Sequence, residues 1–431
     1  MLAPQPYMNN LLDKIFFRSQ NLNHINLGFK KIKKETEVEQ LFKAIHSFSV
    51  NSEIRYVGGC VRKIINKEDF DDIDLAVNLN PKDVCEALDK KNIKYYESGI
   101  KHGTITALIN DIKFEITSLR KDIDTDGRHA KVEFSENWKE DASRRDFTIN
   151  SIYADIDGSL FDPFDGKKDL ENGKVLFIGN AETRIKEDYL RILRYIRFFL
   201  NYSKVKHETS VIKIIKKNLT GMMNISAERL LDELQKLVRS RGFTKLAKDK
   251  DSLEIISLIF PQLKNISLFS KLNSFALKNI ANVDFILLLS LMIIDGTDNV
   301  DYFIYKYNLS KKDQKRLLFL NKFYSKKVNR SFFSEKNLDK ILYFNGREAL
   351  NDIIYFKIFL SKKVDDNLIK LIKIFKEKEI PVLPLKANTL IEKYQIPEGI
   401  ELGKKLKAIE EIWSNNNFKI SEKEIQKIVN N

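Results

Sequence analysis

Two hydrophobic periods divide the chain. Up to about Ile178 apolar residues come in short runs and alternations, and beyond it they recur at helical spacing. Leu41, Phe42, Ile45 and Phe48 follow Thr36-Glu-Val-Glu39, which has the form of a capping box, so a helix is expected there. Arg55 to Gly58 reads as the first strand, and Val61, Ile64 and Ile65 as a helix after it. Ile73 to Val77 gives a second strand, and Pro81 opens a helix carrying Val84 and Leu88. His102 to Ile109 and Ile112 to Thr117 alternate about Asn110-Asp111, a hairpin signal. A polar loop (Asp124 to His129), a short helix (Asp141 to Asp146) and strands at Ile149 to Ala154 and Leu160 to Phe161 follow. Then the period changes. Glu182 to Phe199, Val211 to Leu219 and Ala227 to Arg239 read as helices, the last with Ser226 as N-cap and Gly242 as stop. An α/β head followed by an all-helical arm is expected.

Composition narrows the partners. The chain has 431 residues, a formal charge of +14 and a pI near 9.3, which fits a polyanionic partner such as nucleic acid, or simply a chain rich in Lys, Ile and Asn. Only two cysteines are present, Cys60 and Cys85. They exclude a disulfide framework or zinc cluster and point to a reducing, cytoplasmic setting. The longest apolar run, Phe285 to Ile294, is about half of a membrane span, so no membrane partner is expected. Residues 1–35 are basic and lack a secretory core; they read as a disordered or docked extension, with organellar targeting left open. All five histidines (His24, His46, His102, His129, His207) lie in the first half, which leaves most of the arm without the imidazoles a His/Asp phosphohydrolase needs.

The chemistry centres on Tyr56-Val-Gly-Gly-Cys-Val-Arg62 and Asp72-Ile-Asp74. Gly58 and Gly59 let backbone approach a bulky anion, and a helix starting there offers free N–H groups. Asp72 and Asp74, at i and i+2 on an extended segment, share a face and can hold a divalent metal. Glu115 points opposite to Phe114 and Ile116 on its strand and can face the same acids.

With these pieces stand His102-Gly-Thr-Ile-Thr106, Asp126-Gly-Arg128, Arg144-Arg-Asp-Phe-Thr-Ile-Asn150, Asp162-Pro-Phe-Asp-Gly166, Glu187-Asp-x-x-Arg191 and Ser226-x-Glu-Arg229. In this order, over residues 56 to 240, the pattern resembles the class II tRNA nucleotidyltransferases (CCA-adding enzymes), which share their head with bacterial poly(A) polymerases. The resemblance implies an α+β fold, with a β-polymerase-like head (a small mixed sheet with helices) followed by an all-helical neck, body and tail. The expected domains are an extension at 1–35, head 36–178, neck 179–245, body 246–330 and a tRNA-binding tail 331–431. It implies template-independent addition of C, C and A to tRNA 3′ ends from CTP and ATP, with a pair of Mg²⁺ ions. Asp72 and Asp74 match the metal acids, and Glu115 the third carboxylate. Arg62, Arg144 and Arg145 suit triphosphate clamping, since a guanidinium meets two phosphate oxygens at once; Asp146 and Asn150 suit the ribose.

Asp188 and Arg191, three apart on the expected helix, would read the base. Cytosine and adenine both present an amino donor beside an unprotonated ring nitrogen, which a carboxylate and a guanidinium match; guanine and uracil present the inverse. Arg128, Glu187, Arg194, Glu228 and Arg229 are supporting positions. The loop around Arg128 is full length, unlike that of CC-only enzymes, and Asp165 stands where the family's hinge usually has glycine. The tail, with Pro397-Glu-Gly-Ile-Glu-Leu-Gly403, resembles the family loosely, and its lysines suit the tRNA elbow. No protein partner is expected. The competing readings are a poly(A) polymerase or A-only enzyme on the same head, and a non-catalytic RNA-binding protein.

Overall fold

The computed structural model describes residues 24–70, 72–125, 130–326 and 328–430. The chain divides into two compact units, Met1–Phe243 and Thr244–Asn431.

In the first unit, residues 24–36 form a helix (α1) rather than a loose extension. Ile25, Phe29 and Ile32 project from it at helical spacing into the head's core, where Phe29 is fully buried beside Tyr56. The segment is therefore part of the head. Thr36 does not cap the following helix: its Oγ1 donates to the Ile32 carbonyl and closes α1, and α2 (Glu39–His46) starts after Glu37 at φ 54°. The chain continues through β1 (Ile54–Val57), α3 (Gly59–Ile65), β2 (Asp74–Val77), α4 (Pro81–Asp89), β3 (Lys94–Gly99), β4 (Thr104–Ile109) and β5 (Ile112–Ser118). The β4–β5 turn places Asn110 and Asp111 at φ 47° and 63°, the left-handed pair that a two-residue hairpin demands. Next come β6 (Arg120–Thr125), β7 (Ala130–Phe134), α5 (Trp138–Arg144), β8 (Tyr153–Ala154), β9 (Leu160–Phe161) and α6 (Gly166–Glu171). The strand expected from Ile149 is shorter, because Thr148–Asn150 closes into a 3₁₀ turn.

The main sheet has the order β3-β4-β5-β2-β1-β8-β9, mixed because β2 and β5 run parallel. β6 and β7 make a separate ribbon. Behind the sheet, Leu41, Phe42, Tyr56, Val61, Leu75, Phe114 and Ile116 form one apolar core. The unit ends in helices α7 (Ala181–Glu187), α8 (Arg191–Tyr202), α9 (Thr209–Lys217) and α10 (Ala227–Val238), with Ser226 accepting the Arg229 N–H as N-cap.

The described part of the second unit contains helices and no strand. Every residue of the Phe285–Ile293 helix is buried, as its apolar run requires. Arg316 ties Asp352 (2.8 and 2.9 Å) to Asp284 (2.8 Å). A smaller core, including Leu390, Leu402, Ile409 and Ile425, closes the C-terminal helices. Among the described residues no helix is long and apolar enough to cross a membrane.

Candidate active site

The site is a cleft of about 590 Å³ within the first unit. Gly58, Gly59 and Asp74 border it on the sheet side; Arg144, Arg145, Asp146 and Asn150 come from the α5 end and the turn after it. Asp188, Arg191, Arg194, Arg197, Arg229 and Lys236 come from α8, α10 and the segment before them.

β1 is followed by Gly58, which adopts φ 70°, so the chain turns into α3 beside Asp74. A Cβ there would lie 3.9 Å from both the Asp74 Oδ2 and the Arg145 Nη1. Asp74 opens β2, in register with Glu115 of the parallel neighbour β5. Burial raises the Asp74 carboxyl's affinity for its proton, and the carboxylates of Glu115 and Asp72 raise it further, against Arg145 and Arg62. Asp72 and Glu115 are near enough to Asp74 for their charges to act on it, and of the three acids named from the sequence it is Asp74 that borders the cleft. Among the described residues no three His, Cys, Asp or Glu side chains stand as a preformed metal cage. The crowding of acids on Asp74 nevertheless fits a divalent cation, whose charge would relieve it.

Opposite the acids lies a basic wall. Asp141, 1% exposed, accepts from Arg144 Nε (2.8 Å) and Nη2 (2.6 Å) through Oδ1. Its Oδ2 accepts from Arg145 Nε (3.1 Å), Arg145 Nη2 (3.0 Å) and the Tyr153 hydroxyl (2.7 Å). Burial pushes the Asp141 carboxyl up, but the two arginines and Tyr153 outweigh it and hold it down at about 2. Asp141, Tyr153, Arg197 and Lys236 join the site without standing out as site residues in the sequence pattern. The spacing of Asp141 to Arg144 and Arg145, i+3 and i+4 on a short helix, was the available signal.

A second buried network joins Asp146, Asn150, Arg62 and Arg194. Asp146 accepts from Arg194 Nε (2.6 Å) and from Asn150 Nδ2 (2.8 Å), while Asn150 Oδ1 accepts from Arg62. Burial pushes the Asp146 carboxyl up, but Arg194, Asn150 and Arg191 together more than reverse it and hold it below its ordinary value. The Arg62 guanidinium lies 4.7 Å from the centre of the Phe198 ring.

The expected continuous helix from Glu182 is broken at Asp188, which ends α7 in an extended conformation (φ −153°, ψ 104°) before α8 begins at Arg191. Asp188 and Arg191 therefore do not share one helix face. They still border the same cleft, Arg191 from the first turn of α8. Asp188 Oδ2 accepts from Arg229 (2.8 Å) and Oδ1 from the Leu190 N–H (3.1 Å). Arg191 is held by Glu187 and the Arg184 carbonyl (2.9 Å). Glu228 is exposed on the first turn of α10. Arg128 lies outside the described residues.

The Asp162 to Gly166 turn is pinned. Asp162 accepts the Gly166 and Lys167 N–H groups at 2.8 Å, and Asp165 sits at φ 56°. A Cβ on Gly166 would fall 2.0 Å from the Thr148 carbonyl, so only glycine fits.

A mixed sheet carrying acids over a glycine turn, faced by arginines, defines the class, a nucleotidyltransferase head. Residues 54–176 match the family described as Poly A polymerase head domain. The mitochondrial CCA tRNA nucleotidyltransferase 1 of Mus musculus is 33% identical over 396 residues, covering 87% of this chain and 86% of that protein. The CCA-adding enzyme of Lactobacillus johnsonii is 29% identical over 387 residues, covering 86% and 92%. The chain belongs to the CCA tRNA nucleotidyltransferase family. The Bacillus stearothermophilus CCA-adding enzyme in complex with CTP has the same fold, with a TM-score of 0.71 at 20% identity over 92% of this chain and 97% of that one. The Thermotoga maritima CCA-adding enzyme complexed with tRNA-CCA gives 0.58 at 20% identity, covering 93% and 98%. Nucleotidyltransferases of this kind use divalent metals.

Proposed function

We propose that this chain adds C, C and A in turn to the 3′ end of tRNA, taking CTP and ATP and releasing pyrophosphate. One observation carries the reading: the acid Asp74 and the base-reading candidates Asp188 and Arg191 border a single cleft. A nucleotide lying across it would present its triphosphate to Arg144 and Arg145, its ribose to Asp146 and Asn150, and its base to Asp188 and Arg191. The tRNA 3′-oxygen forms a bond to the α-phosphorus, the bond to the bridging oxygen breaks, and pyrophosphate leaves.

Asp72 and Asp74, with Glu115 beside them, would hold a pair of Mg²⁺ ions. Bound there, the metal supplies a lowered pKa for the attacking hydroxyl and charge neutralisation for pyrophosphate. The protein's own residues orient the triphosphate and hold the base. Asp188 accepts from the exocyclic amino group and Arg191 donates to the ring nitrogen, so cytosine and adenine fit while guanine and uracil leave both groups mispaired. The lysine-rich arm supports backbone contact with the tRNA elbow. Free Cys60 and Cys85 support a reducing compartment, the cytoplasm.

The test is incubation of the full chain with tRNA ending at the discriminator base, with each nucleotide triphosphate alone and in combination. The expected product carries C, C and A. Incorporation from ATP with none from CTP would replace this reading by an A-only or poly(A) activity, to which the shared head also lends itself.

A further inference from the structure

Asp141 does not itself line the cleft, yet Arg144 and Arg145, which do, are both fastened to it. It spends one oxygen on each. Arg144 approaches Oδ1 side-on through Nε and Nη2, and Arg145 approaches Oδ2 the same way. In each guanidinium this leaves the Nη1 edge for the cleft, and in Arg145 that nitrogen lies 3.9 Å from the Cβ position of Gly58, over the glycine turn. Tyr153 locks the arrangement: its hydroxyl donates to Asp141 and accepts from Arg145 Nε at 3.1 Å. The Tyr153 ring is held edge-on by Trp138 at 5.3 Å. Two adjacent guanidiniums would otherwise repel one another and sample many rotamers; a buried carboxylate between them, a single negative charge with two accepting oxygens, offsets the repulsion and fixes the rotamers.

We propose that Asp141, braced by Tyr153, is a positioning residue that presets Arg144 and Arg145 to receive the nucleotide's triphosphate. The inference rests on the reading of those arginines as triphosphate ligands. It assigns Asp141 a role in affinity for the phosphates and none in choosing the base. The choice falls to Asp188 and Arg191, from other elements.

The experiment compares wild type with Asp141→Asn and Tyr153→Phe in the full chain. It measures KM and kcat for CTP and ATP, and binding of CTP, cytidine and inorganic triphosphate. For Asp141→Asn, a rise in KM of about tenfold or more is expected for CTP and ATP alike, with matching loss of triphosphate affinity, unchanged cytidine affinity and unchanged preference for C and A. Tyr153→Phe keeps the ring packed and is expected to shift the same quantities in the same direction by about threefold. Asp141→Glu should recover part of the loss. Should Asp141→Asn fail to fold, the Tyr153→Phe measurement decides. A variant with lowered thermal stability but unchanged KM and triphosphate affinity overturns the proposal, as does equal loss of cytidine and CTP binding. Arg144→Ala and Arg145→Ala separate the levels: unchanged triphosphate affinity in both sinks the reading of the arginines, whereas loss there without loss in Asp141→Asn sinks only the role of Asp141.

Discussion

Two aspartate–arginine assemblies border the same cleft and are built on opposite plans. Around Asp141, 1% exposed, two guanidiniums and a phenol saturate one carboxylate from every side. Around Asp188, 23% exposed in its side chain, one arginine and one backbone N–H do the holding, at a break between two helices. The first is preset and water-poor, where geometry costs little to maintain once formed. The second leaves the Asp188 carboxylate more open to a ligand, while Arg191 is itself held by Glu187 and the Arg184 carbonyl. The difference matches what each end of a nucleotide demands. CTP and ATP carry the same triphosphate, so a fixed clamp serves both; their bases differ in size, so the reader must accept either ring while checking one shared edge.

Removing the acid that faces the clamp should have the largest effect. Asp74→Ala is expected to lower single-turnover incorporation on the order of a thousandfold. Asp74→Asn should be as inactive yet melt no lower than wild type, because burial, Glu115 and Asp72 already disfavour the Asp74 charge. A melting curve beside the turnover assay separates these outcomes.

Arg229→Ala tests the looser assembly, since it leaves Asp188 with the Leu190 N–H as its remaining contact among the bonds described. Loss on the order of tenfold in kcat/KM is expected, with discrimination against UTP and GTP eroded rather than abolished.

Acid should expose the tighter one. Asp141 is held at about 2 against an ordinary value of 3.8, so its contribution to stability is complete above the ordinary value and fades as pH falls through the lower one. Urea midpoints of wild type and Asp141→Asn should differ most near about pH 5 and converge towards about pH 2. The smallest effect belongs to Glu228→Ala, whose side chain is exposed. Its melting temperature should move by about a degree or less, and incorporation by less than about twofold.

The sequence made the looser assembly easier to find than the tighter one. Asp188 and Arg191 stand inside a recognisable run, whereas Asp141 is marked only by its i+3 and i+4 spacing to Arg144-Arg145, which does not say that it accepts from both. What it binds depends on the exit angle of α5, where Arg145 leaves the helix at ψ 164° with its side chain turned back. Local pattern served well where one face is apolar, as in the β4–β5 hairpin with its left-handed Asn110 and Asp111. It misled where two signals overlapped. Thr36 has the right neighbours for a cap and instead closes the helix before it, and Lys30, Lys31, Lys33 and Lys34 disguised the apolar stripe of Ile25, Phe29 and Ile32. The break at Asp188 was hidden for a related reason. Tyr189 and Leu190 suit a helix, so nothing in their types announces an extended residue before them.

Nucleotide preference in Asp188→Ala and Arg191→Ala tests the central claim, that one cleft joins phosphate chemistry to base reading, most directly. With relative kcat/KM measured for CTP, ATP, UTP and GTP on tRNA ending at the discriminator base, both variants should lose preference for C and A while binding inorganic triphosphate as wild type does. Full preference retained in both variants, with only the overall rate reduced, would contradict the account.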